Sequence, residues 1–222
     1  MVPEDRYPVR VRFSKVGSLK FISHLDLSRT MKAAFLRAKL PIWYTMGFNP
    51  HPKMVFSLPL PVGAESVCEY LDVSLTGPCD EEDLKDAINA QLTRDLQILE
   101  IYPQERSFQE IASAEYDFRF YDLPKADLEK ALEGELPIEK KSKKGFIVVD
   151  LRPKIAGYSV DTATDEDGLP FVRFHALLGA DSGDFVNPEL LIRAIEKSLG
   201  SPVEDYDVMR LALYCADGEP FK

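Results

Sequence analysis

The sequence predicts an α+β fold made of two tandem units. Three features predict it: short alternating strands, capped amphipathic helices, and an order of these elements that occurs twice. With 222 residues, 45% of them hydrophobic, the chain has material for two cores of about 100 residues each.

Tyr7–Ser14 alternates, with Val9, Val11 and Phe13 on one face and Arg10, Arg12 and Ser14 on the other. That pattern predicts a half-buried strand with a basic outer face. A turn follows at Val16-Gly17-Ser18. From Ser23, the apolar residues Leu27, Met31, Ala34, Phe35 and Ala38 form a single helical stripe. Ser23 and Asp26 have capping-box spacing, and Pro41 stops the helix. Strands are then expected at Met54–Leu58 and Val67–Leu75, a helix from an Asp80 cap to about Leu92, and a strand at Leu96–Tyr102. This βαββαβ order is the ferredoxin-like pattern.

The second half repeats the order with embellishment. A strand at Ala114–Tyr121 and a helix at Lys125–Leu132 precede strands near Pro137–Lys141, Gly145–Leu151, Gly157–Thr164 and Leu169–Leu178. A helix Pro188–Leu199, capped by Asn187 and stopped by Gly200, leads to a closing strand, Val203–Cys215. The expected architecture is a tandem of ferredoxin-like units with antiparallel sheets, residues 1–106 and 107–222.

Net charge is −10, yet residues 1–60 hold ten Lys/Arg against three acids, leaving 17 basic and 34 acidic groups for the remainder. A local excess of positive charge attracts phosphate even on an acidic protein, because fields are screened over about 8–10 Å. The expected character is a basic, functional first unit and an acidic second one. Three cysteines, odd in number and without CxxC spacing, fit thiols in a reducing compartment. No run approaches the ~18 apolar residues of a membrane helix, and Met1–Phe13 has no signal-peptide core. A cytoplasmic location is expected.

Candidate functional residues concentrate between Arg12 and Asp72. His24 opens the first helix, where the dipole disfavours its protonation, so a neutral imidazole there can act as base or ligand. Arg29 and Arg37 lie eight apart, on roughly one helix face, as a candidate phosphate or carboxylate clamp. In Tyr44–Lys53, Gly47 permits a tight turn, and Pro50 and Pro52 brace His51. Tyr44 and Phe48 can stack on bases while Lys53 meets phosphate, with Asn49 and His51 beside them. Arg10, Arg12 and Lys15 extend this binding set along the first strand. Glu69 and Asp72, three apart on a strand, face opposite sides, which disfavours paired-carboxylate catalysis. His24, His51, Asp26 and Glu69 have no tight metal-ligand spacing, so neither metal nor cofactor is expected. His175 and the run Lys140-Lys141-Ser142-Lys143-Lys144 are read as a structural histidine and a solvated hairpin tip.

A specific resemblance is carried by Phe13-Ser14-Lys15, Ser23-His24-Leu25-Asp26-Leu27 with Arg29, Arg37-Ala38 with Leu40-Pro41, and Gly47-Phe48-Asn49-Pro50-His51-Pro52. Pro59-Leu60-Pro61-Val62-Gly63 and Glu69 with Asp72 complete it. Together these stretches resemble the N-terminal signature of a bacterial family of radical-SAM-linked proteins, found alone or fused behind a radical SAM enzyme. The resemblance implies a radical SAM partner. The chain itself lacks the CxxxCxxC run that binds the cluster. A looser architectural similarity is to tandem ferredoxin-like RNA-processing endonucleases, in which His24 matches by position. Their Gly-rich loop near the C-terminus is missing from Leu213–Gly218.

The leading expectation is an RNA-binding accessory, more a binding protein than an enzyme, acting with a radical SAM enzyme on tRNA or rRNA. One alternative is a substrate-presenting protein partner of such an enzyme without nucleic acid. Another is a metal-independent endoribonuclease centred on His24 and His51.

Overall fold

The computed structural model describes residues 6–142, 145–181 and 183–222. It is a mixed α+β structure with mainly antiparallel sheets and, among the described residues, four α-helices. The chain divides into two compact units, one running to Phe108 and including Lys222, the other spanning Gln109–Phe221.

In the first unit, β1 (Tyr7–Lys15) leads through a 3-10 turn, Gly17–Phe21, into α1 (His24–Arg37). Then come β2 (Met54–Phe56), β3 (Ala64–Leu75), α2 (Glu81–Asn89) and β4 (Leu96–Pro103). The strands lie in the order β4-β1-β3-β2, every neighbour antiparallel. Ser23 caps α1: its hydroxyl accepts from the Asp26 amide at 3.1 Å and donates to the Asp26 carboxylate at 2.7 Å. Leu27, Met31, Ala34 and Phe35 form the buried stripe of α1. They pack into one core with Val11, Phe13, Leu71, Val73, Leu84, Ile88 and Ile98. The second helix ends at Asn89, short of Leu92, because the Asn89 amide turns to the next strand. It donates to the Ile98 carbonyl at 2.9 Å and accepts from the Ile98 amide at 2.7 Å.

The basic outer face expected for β1 is not formed. Arg10 is 0% exposed and Lys15 2%. The segment after β4 supplies the cover for Arg10, whose guanidinium donates to the Arg106 carbonyl at 2.7 Å and lies 4.4 Å from the Phe108 ring.

The second unit contains β5 (Ile111–Phe120), α3 (Lys125–Glu133), β6 (Pro137–Ser142), β7 (Gly145–Asp150), β8 (Ile155–Thr164), β9 (Pro170–Gly179), α4 (Pro188–Leu199) and β10 (Tyr206–Cys215). Four strands form a sheet in the order β10-β5-β9-β8, again antiparallel throughout, and β6 pairs with β7 as a separate hairpin. Asn187 caps α4 by accepting from the Glu189 amide at 2.9 Å, and Gly200 ends the helix at φ 72°. The core is aromatic, with Phe118 stacked on Phe120 and tilted against Phe174 at a centroid distance of 5.2 Å. Among the described residues, no helix is long and apolar enough to cross a membrane.

Candidate functional site

The end of β1, the start of α1, β2 and β3 enclose a small niche lined by Lys15, Ile22, His24, Leu27, Phe56, Glu69 and the turn Leu58-Pro59-Leu60. Each element delivers one group. The strand β1 ends on Lys15, whose ammonium donates to the Lys20 carbonyl at 3.3 Å. The capped turn of α1 presents His24, which stands edge-on to Phe56 at 5.1 Å and 78°. The register of β3 against β1 sets Glu69 opposite Phe13, and Glu69 is 4% exposed. Ionisable side chains rarely sit this deep, because taking their charge out of water is costly. The niche holds about 10 Å³, room for a single water. Its chemistry is that of a buried cation and a buried carboxylate beside an exposed imidazole.

Asp72 lies elsewhere, as its spacing from Glu69 predicts. It receives Arg10 in a two-pronged pair, Nε to Oδ1 at 2.8 Å and Nη2 to Oδ2 at 2.9 Å. Arg10 Nη1 donates to the Lys222 backbone oxygen at 2.9 Å. This is a structural clamp, and Arg10 is thereby removed from the binding set. Arg12 is half-buried, donating to Glu100 at 3.3 Å and to the Val67 carbonyl at 3.4 Å. On the same sheet face, burial pushes the Tyr70 hydroxyl well above its ordinary pKa and raises that of Tyr102 to about 12.

A second cluster is the hairpin Trp43–Lys53. Its base is tied to β3 by the Trp43 amide donating to Ser74 at 2.8 Å and the Ser74 amide donating to Lys53 at 3.4 Å. Its arms are clasped by Thr45 and His51. The Thr45 amide donates to the His51 carbonyl at 2.8 Å, and the His51 amide donates to the Thr45 hydroxyl at 3.2 Å. Imidazole Nδ1 is 3.1 Å from both the Thr45 hydroxyl and the Asn49 carbonyl. Gly47 takes φ 133°, where a side chain would be strained, and so turns the tip. Phe48, at that tip, is fully exposed, while Met46 is 66% and Tyr44 39% exposed. Asn49, His51 and Lys53 are exposed as well. Arg6, one of the ten cations of the opening segment but not in the expected binding set, places its guanidinium 4.9 Å from the Trp43 ring at the hairpin base. The signal available for it was its position one residue before an alternating strand.

The two clusters stand apart. The hairpin hangs from the Ser74 end of β3 and the niche from the Glu69 end. His51 is not among the residues that line the niche. His24 and His51 therefore do not share one centre. Nor do Arg29 and Arg37 clamp together: Arg29 pairs with Asp26 at 3.3 Å and Arg37 donates to the Gln91 carbonyl at 2.9 Å. Among the described residues no group of three His, Cys, Asp or Glu is placed to hold a metal. In the second unit, His175 Nε2 lies 2.6 Å from the Glu115 carboxylate, which also accepts from Tyr214 at 2.6 Å. Lys140, next to the tip of the β6–β7 hairpin, is exposed; Lys143 and Lys144 fall outside the described residues.

No curated protein matches the chain at a significant level. Among solved structures, it is similar to an unknown protein from Galdieria sulphuraria at 12% identity. That match covers 93% of this chain and 99% of the other, with a TM-score of 0.28, and adds no argument on fold or function. A family model described as an uncharacterized protein conserved in bacteria (DUF2344) matches residues 8–188, from β1 to the start of α4. The niche and the hairpin both fall inside that match, and the chain belongs to this bacterial family.

Proposed function

We propose that this protein is an RNA-binding accessory that grips single-stranded RNA on the Trp43–Lys53 hairpin and serves a radical SAM enzyme acting on tRNA or rRNA. The observation that carries the reading is Phe48, a wholly exposed aromatic ring held at the tip of a braced hairpin. A folded protein gains nothing in stability from such a ring in water. A nucleobase stacked on it gains about 1–3 kcal/mol, whatever the base. Tyr44 offers a second ring, and Lys53 and Arg6 supply phosphate contacts at the base of the hairpin. The radical SAM partner rests on the motif resemblance.

The same reading takes each unit as a ferredoxin-like domain, the second carrying the β6–β7 hairpin as its embellishment. Supporting it is the strand order, β4-β1-β3-β2 in the first unit and β10-β5-β9-β8 in the second. In each, the fourth strand of the βαββαβ pattern lies beside the first and the third beside the second.

The test is fluorescence anisotropy with a labelled single-stranded RNA at low and moderate salt. Phe48→Ala is expected to weaken binding roughly 5- to 150-fold, the equivalent of the stacking term. Lys53→Ala is expected to lower the salt dependence as well. Equal affinity for wild type and Phe48→Ala would overturn the reading.

A second reading, strand cleavage centred on His24, has one observation in its favour: the imidazole lines a niche with buried Lys15 and Glu69. It requires that a labelled RNA be cut by wild type and left intact by His24→Ala.

A further inference from the structure

The solvent face of α1 carries a pattern that RNA binding does not use. Leu25 and Leu36 are 57% and 46% exposed, and Arg29 and Lys32, both exposed, fall between them. At 3.6 residues per turn these four side chains fall within an arc of roughly 60°, and the leucines are about 16 Å apart along the axis. The opposite face, with Leu27, Met31, Ala34 and Phe35, is the one that enters the core. The helix is thus apolar on both sides, and the outer stripe has two cations at its centre. At its N-terminal end the apolar surface continues. Phe21, 65% exposed, ends the 3-10 turn, and Val62, 56% exposed, is drawn there by the Gly63 amide donating to the Lys20 carbonyl at 2.8 Å. One acid lies next to the stripe: Asp26, whose carboxylate is 3.3 Å from Arg29. Lys32 has no ion-pair partner among the described residues, which leaves the stripe net positive.

We infer that this outer face of α1 is a docking surface for an acidic amphipathic helix of a partner protein. Two leucines three turns apart match the ridge spacing of a packed helix and are desolvated only by an apolar partner. Two cations between them select a partner with acids at the facing turns and reject a basic one. The stripe lacks what single-stranded RNA would need, since no aromatic ring stands between the leucines. The inference is independent of the hairpin reading, because it concerns other residues and another ligand class.

The test uses the whole protein and a synthetic helical peptide bearing two leucines at the spacing of Leu25 and Leu36, with glutamates between them. Anisotropy is expected to show saturable binding. Leu25→Ser/Leu36→Ser should weaken it at least ten-fold, and Arg29→Glu/Lys32→Glu should abolish it. The charge-reversed protein should in turn bind a peptide with lysines in place of the glutamates. All four residues are exposed, so circular dichroism and melting temperature should stay at wild-type values; Ser and Glu at these positions leave the core stripe untouched. The inference would be overturned by equal peptide binding by wild type and both variants, by no binding by wild type, or by displacement of the peptide by single-stranded RNA. Concentration-dependent self-association lost in Leu25→Ser/Leu36→Ser would also overturn it, by making the occupant a second copy of this chain. Phe48→Ala should leave peptide binding intact, which separates failure here from failure of the RNA reading.

Discussion

Arg10 and Lys53 are both cations from the basic opening segment, but they serve different ends. Arg10 is fully buried, its guanidinium shared among the Asp72 carboxylate, two backbone oxygens and the Phe108 ring. Lys53 is exposed at the base of the hairpin. Removing one partner of a buried pair leaves the other charged and unsolvated. Arg10→Ala is therefore expected to cost about 3–5 kcal/mol in urea unfolding, whereas Lys53→Ala should stay within about 0.5 kcal/mol. A double variant, Arg10→Ala/Asp72→Ala, should lose less than the two single losses added, since the orphaned charge goes with it. Additive losses would show that the pair is not coupled.

At the level of elements, α1 depends on its first turn. Ser23 satisfies the Asp26 amide and in turn holds the Asp26 carboxylate, which is within reach of Arg29. The same turn positions His24 against Phe56 at the mouth of the niche. Ser23→Ala is expected to destabilise the protein by about 1 kcal/mol and to loosen that turn selectively. Hydrogen exchange should show faster amides at Asp26 and Leu27, which bond to Ser23, with little change at Met31–Phe35, where the buried stripe holds the helix. Uniform acceleration along the helix would instead mean that the cap supports the whole element. The hairpin Trp43–Lys53 is built on a different principle. Only Trp43 and Pro52 of its residues are buried, and polar clasps between Thr45, Asn49 and His51 keep its shape.

For the molecule as a whole, alkaline pH tests how firmly the sheet of the first unit is closed. Burial raises the Tyr102 pKa to about 12 from an ordinary value of 10.0, and its hydroxyl has no hydrogen-bond partner among the described residues. A neutral tyrosine is thus favoured in the folded state, while the unfolded chain releases the proton from about pH 10. The resulting stability is fully present below pH 10 and is lost as pH rises towards about 12. Tyr70, also raised by burial, acts in the same direction. Tyr102→Phe is expected to unfold at a higher pH than wild type in an alkaline titration followed by circular dichroism. An unchanged or lower midpoint would mean that the Tyr102 hydroxyl reaches water in the folded protein.

The order of strands and helices was legible in the sequence because it rests on local patterns. The β1 alternation, the Ser23 and Asn187 caps, the Gly200 stop and the Gly47 turn act within a few residues of themselves. The opposition of Glu69 and Asp72 follows from strand parity alone. Which cations face water was not legible. Arg10 and Arg12 share a strand face with the polar Ser14, and the arrival of Arg106, Phe108 and Lys222 at Arg10 turns part of that face into an interior. The gathering of Lys15, His24 and Glu69 around one niche, and the separation of His24 from His51, depend on the register of β2 and β3. Short-range preferences decide the conformation of each segment. Burial and encounter between distant residues are decided by packing, which no single stretch of sequence contains.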